Sequence, residues 1–164
     1  MSIEVLEGWG DFFVAEVGAT GALLGLLVVA ITINLDKILE FPWLPGRAAE
    51  TIGILLNTLI IGGLGLIPWT SEVVYGSTVL VVAVAAWLMI LIAQVRSPTV
   101  PTEGVRQNVG VRIAMTQVAT FPFVLAGIFL LAGGPGMYLI AIGTLASAAV
   151  AVANAWVLMV EIRR

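Results

Sequence analysis

The chain has 164 residues, 60% of them hydrophobic and only 10% charged, with a formal net charge of −3 and a mean hydropathy of +1.12. Soluble domains carry roughly 25% charged residues, so this composition excludes an ordinary water-soluble domain and makes lipid the solvent. Without cysteine or histidine, disulfides, thiol and imidazole chemistry, Cys/His zinc sites and histidine-ligated haem are excluded as well.

A helix needs about 20 apolar residues to cross the hydrocarbon core, and five stretches qualify. Residues 1–11 form an acidic lead with Trp9 as an interfacial anchor. The first span follows at about 12–35 and is expected to extend toward Leu39. Its acidic lead and its length, beyond the roughly 7–15 residues of a signal core, predict that it stays in the mature protein. At about 100° per residue, Gly18, Gly21, Ala22, Gly25 and Thr32 share one side, and Glu16, Thr20 and Asn34 lie nearly opposite. Small faces pack against other helices and polar groups turn from hydrocarbon, which places this helix at the centre of the bundle.

Phe41-Pro42-Trp43-Leu44-Pro45 reads as a proline-broken interfacial connector. The second span is expected at about 47–67, ended by Pro68-Trp69, and the third at about 73–94. The third is the least polar in its middle and the best candidate to face lipid. Ser97–Thr102, with Pro98 and Pro101, reads as a loop. The fourth span, about 109–131, contains Pro122, tolerable in a membrane helix with an expected kink. Gly133-Gly134-Pro135-Gly136 turns the chain into the fifth, about 137–160. No internal repeat or soluble segment is evident, so residues 1–164 are read as one transmembrane domain, an all-α polytopic bundle.

All seven Lys and Arg residues fall on one side of this arrangement: Lys37, Arg47, Arg96, Arg112 and the more terminal or loop arginines. The positive-inside rule then puts the N-terminus outside and the C-terminus in the cytoplasm, in a multi-pass protein of a bacterial plasma membrane.

Polar residues sort by depth within this frame. Asn34, Glu50, Asn57, Arg112, Gln117, Asn154 and Glu161 fall in the cytoplasmic half and form a candidate polar cluster. Glu50 and Asn57 share a helix face, Ser147, Asn154 and Glu161 repeat at the same spacing, and Arg112, Thr116 and Thr120 make a stripe. One reading is a vestibule open to the cytoplasm; the other is interhelical hydrogen bonding, with Arg47 as the local partner of Glu50. Glu16 is a candidate intramembrane acid on the outer side, with no Lys or Arg there to pair with. It is therefore expected to be protonated or to face water. Gly18, Gly21 and Gly25 on the first helix, with Gly143, Ser147 and Ala151 on the fifth, read as packing seams. The tryptophans read as interface anchors.

The stretches DFFVAEVGATGALLGLLVVAITINLDKIL, LPGRAAE and NAWVLMVEIRR resemble a group of small actinobacterial integral membrane proteins of unestablished function. Some members of that group are labelled modulators of a membrane-anchored AAA protease. The resemblance implies no catalytic residues and favours an accessory or regulatory role. The residues themselves argue against an enzyme, because the carboxylates are scattered and no convergent acid–base or metal set exists. No cofactor and no nucleic-acid partner is expected. The expected partners are the bilayer and either a membrane protein or further copies of the chain. The leading expectation is an accessory subunit, the alternative a homo-oligomeric ion or proton channel or small transporter, with the 96–112 segment as a docking surface.

Overall fold

A computed structural model of the chain describes residues 4–96 and 109–160. After one 3-10 turn at Glu4–Leu6 come α1 (Gly10–Ile33), α2 (Leu35–Glu40), α3 (Leu44–Gly65), α4 (Glu72–Arg96), α5 (Val109–Leu131) and α6 (Gly136–Val160), with no strand among the described residues. All but α2 are long and apolar enough to cross a membrane. The loop expected at Ser97–Thr102 and the docking segment after Arg96 lie largely outside the described residues.

The ends of the helices have local causes. The Asn34 side chain donates to the Ala30 carbonyl at 2.8 Å, and its backbone N–H reaches the carbonyls of Ala30 and Ile31. That closes α1, so the helix expected to run on toward Leu39 breaks and restarts as α2. Pro45 does not break α3 but occupies its first turn, where a missing N–H costs no hydrogen bond. The span therefore begins three residues earlier than the prolines suggest. Trp69 donates its indole N–H to the Leu64 carbonyl at 2.7 Å, satisfying a bare acceptor at the end of α3. In the α5–α6 turn Gly133 takes φ +70°, a left-handed conformation that glycine adopts without a side-chain penalty. α5 continues as one helix through Pro122.

The centre of the bundle is α3, which packs against α1, α2, α4 and α6, while α4, α5 and α6 pack in sequence. It is also the least hydropathic of the five spans and the most buried. The two facts are connected, since its Arg47, Glu50, Thr51, Asn57 and Thr58 are buried and would be costly against hydrocarbon. The central place assigned to α1 from sequence is thus corrected. α1 is the least buried span, even less so than the apolar α4.

Of the two faces expected to turn inward, α1 lays only the polar one on α3. Phe13, Glu16, Thr20 and Leu27 are buried, whereas Ala15, Gly18, Ala19, Ala22 and Gly25 are exposed. A side chain added at Gly18 or Gly25 would meet nothing within 4 Å, and one at Gly21 would meet only Leu59, at 3.9 Å. Tight glycine contacts lie elsewhere. A Cβ at Gly65 would fall 2.5–2.6 Å from the Phe13 ring, one at Gly127 2.7–2.8 Å from the backbone of Leu80, and one at Gly143 3.0–3.1 Å from the Phe123 ring. Phe13 over Gly65, Glu16 over Gly62 and Gly21 beside Leu59 set α1 and α3 antiparallel. Three apolar clusters fill the interior, the smallest of them Ile54, Ile90, Ala119 and Val150. Phe13, Ile61, Tyr75, Phe123 and Met137 pack toward one end, and Leu27, Ile38, Leu44, Leu55 and Leu158 toward the end that carries the basic residues.

Candidate functional site

Two polar constellations lie within the bundle, at opposite ends of α3. At the basic end, Glu50 of α3 is 2% exposed and its Oε1 accepts from the Gln94 amide of α4 at 2.6 Å and from the Thr116 hydroxyl of α5. Arg112 of α5, with 14% of its side chain exposed, places Nε 3.7 Å from Glu50 Oε2. Its Nη2 also reaches the Gln94 carbonyl, at 3.5 Å, near the end of α4. One carboxylate thereby joins three helices. A buried carboxylate is tolerable only with a countercharge and hydrogen bonds to its oxygens, and the α3–α4–α5 contact supplies both.

Beside this set, Arg47 donates through Nε and Nη2 to Asn154 Oδ1 at 3.2 and 3.0 Å, tying α3 to α6. Arg47 was expected to pair locally with Glu50. The fold instead gives Glu50 to Arg112 and carries Arg47 to the last helix.

The other members of the expected cluster disperse. Gln117 accepts from the Trp87 indole at 2.7 Å, which ties α4 to α5. Asn34 caps α1. Asn57 is buried with its Oδ1 lacking a hydrogen-bond partner, and Glu161 lies outside the described residues. Gln94 was missed in sequence because it ends an apolar run and reads there as a boundary residue. Its signal was being the lone amide of that helix.

Toward the other end, Glu16 of α1 is 5% exposed. It accepts from the Thr20 hydroxyl at 3.0 Å through Oε1, while Oε2 is buried without a hydrogen-bond partner. Its carboxyl sits in the space over Gly62 where a side chain would otherwise project, with Cδ 2.6 Å from an ideal Cβ there. Glu16 therefore turns into α3 and does not face water. Lys37, Arg47, Arg96 and Arg112, the described cations, all sit at the opposite end of the bundle. The twelve helical steps from Glu50 to Gly62 along α3 span about 18 Å, so the two acids are separate sites.

Of the packing residues, Gly143 receives the Phe123 ring, Ser147 donates to the Ala119 carbonyl at 3.0 Å, and Ala151 is buried against Leu27 and Leu55. Among the described residues no group of three His, Cys, Asp or Glu side chains is placed to hold a metal ion. Chemically, the Glu50 set binds helix to helix by hydrogen bonds and an ion pair, whereas Glu16 bonds within its own helix and meets α3 by packing over Gly62. No protein-family model, curated protein or solved structure matches the chain.

Proposed function

We propose that the chain is a non-enzymatic membrane subunit, accessory or regulatory, that packs against a membrane partner through the outward face of α1. The observation that carries this reading is where glycine is left open. In the interior, Gly62, Gly65, Gly127, Gly136 and Gly143 are sites of close helix approach. On α1, Gly18 and Gly25 meet nothing, yet with exposed Ala15 and Ala22 they alternate three and four residues apart. That spacing is a helix-packing seam facing away from its own bundle. The charge asymmetry supports a bacterial plasma membrane with the N-terminus outside. The resemblance noted above points toward the same accessory role.

A second reading, a homo-oligomeric ion or proton channel or small transporter, draws on the unpartnered Oε2 of Glu16. One experiment separates the two: gentle extraction of the tagged full chain, with native mass and co-purifying proteins measured. The accessory reading expects a stoichiometric foreign protein, retained by Glu16→Gln and lost by Gly18→Leu with Gly25→Leu. A symmetric assembly of this chain alone, with cation flux abolished by Glu16→Gln, would replace it with the channel reading.

A further inference from the structure

We propose that Glu16 is a proton-binding site that latches α1 to α3. With the proton on, α1 lies as described; its loss releases α1 from α3 while the other four spans stay packed. The seat suits the neutral acid. Oε1 accepts from the Thr20 hydroxyl at 3.0 Å, Oε2 is buried with no partner, and Cδ lies 2.6 Å from an ideal Cβ on Gly62. The carboxyl itself occupies the space over Gly62, so the ligand that fits is the smallest one.

The chain shows elsewhere what a buried carboxylate requires. Glu50 has a guanidinium, an amide and a hydroxyl around it; Glu16 has one hydroxyl. An ionised carboxylate buried without a countercharge is far more costly than a neutral acid short of one hydrogen bond. No described charge is placed to help. α3 carries no ionisable residue nearer than Glu50, about 18 Å along the helix. α6 offers only Tyr138, 65% exposed with its ring against Trp9. α2 places Asp36, Lys37 and Glu40 at the far end of α1, and on α1 itself Asp11 is exposed. Across the core, Tyr75 of α4 is buried with its hydroxyl on Met137 Sδ. α1 is also the span that the bundle holds least. It is the least buried, and the side chains of Thr20, Thr32 and Asn34 donate within it. It meets α3 through Phe13 over Gly65, Glu16 over Gly62 and Gly21 beside Leu59. A charge at the middle of those three contacts therefore opens this joint before any other. The proton is held and not passed on, so the latch does not depend on the channel reading.

The test places spin labels through Val14→Cys on α1 and Val81→Cys on α4, positions 63% and 68% exposed, in the full chain in phosphatidylcholine nanodiscs. Distances are read at about pH 5 and about pH 9. The chain has no histidine or cysteine of its own, the side chains that ordinarily titrate between those limits. The expected result is one docked distance at the lower pH and its loss to longer, broader distances at the higher. Glu16→Gln, which keeps the shape and stays neutral, should show the docked distance at both. A second pair, on Val81 and on Ile142 of α6, which is 55% exposed, should not move. In the unlabelled, unaltered chain, an infrared band of a buried neutral carboxyl should disappear over the same interval. Four results would each overturn the proposal: an unchanged α1–α4 distance with Glu16 in place, an equal change in Glu16→Gln, a matching change in the α4–α6 pair, or no such carboxyl band at the lower pH.

Discussion

Replacing Gly62 with alanine tests the joint between α1 and α3. The added methyl would land on the Glu16 carboxyl, with Cδ 2.6 Å away and Val17 Cγ2 at 3.1 Å, so the acid must leave its seat or the helices must part. Overpacking of this kind costs about 1–3 kcal/mol, and the collision with a whole carboxyl places Gly62→Ala near the top of that range. In a Glu16→Ala background the collision disappears and only the Val17 contact remains. The same methyl should then cost under about 1 kcal/mol, offset in part by the higher helix propensity of alanine. The cycle therefore predicts a coupling of about 2 kcal/mol. Reversible unfolding of the full chain in mixed micelles, followed by far-ultraviolet circular dichroism, measures all four proteins. Gly63→Ala, where nothing lies within 4 Å, is the control and should not destabilise. An equal cost of Gly62→Ala in both backgrounds would refute the seating of Glu16 over Gly62.

Arg112→Met should destabilise by about 3–5 kcal/mol in the same titration, because it strands a buried Glu50. Adding Glu50→Gln should recover most of that loss, and no recovery would argue against the pairing. Gly127→Ala should cost about 3 kcal/mol, since its methyl meets Leu80 backbone and backbone cannot turn aside as a side chain can. A neutral result would place the α4–α5 contact elsewhere.

The spans were legible because hydropathy over some twenty residues is a strong signal, and α5 occupies its expected 109–131. Ends were less so. Pro45 and Gly46 look like breakers, yet a proline in the first turn starts a helix as readily as it stops one. The rotation of α1 shows a different limit. Sequence places its small and polar residues on opposite sides, but both kinds are rules for facing inward. The structure resolves the conflict in favour of Glu16 and Thr20, because a carboxyl exposed to hydrocarbon costs far more than an exposed glycine. The Glu50 site was half legible. Glu50 and Arg112 could be placed at one depth, but their meeting depends on α4 bringing Gln94 between them, and helix order is not written in any single span.

The pairing of Glu50 with Arg112 also imposes an order on how the protein can be made. The two residues are about 60 positions apart, and chains elongate at about 5–20 residues per second, so α3 emerges several seconds before its countercharge exists. During that interval the acid lacks its final countercharge, with only Arg47 of the same helix at hand, and is best kept among lipid head groups, at the margin of its helix. The arrival of α5 would then draw α3 to its final depth. A ribosome stalled before Arg112 should hold a shallower α3 than a finished chain.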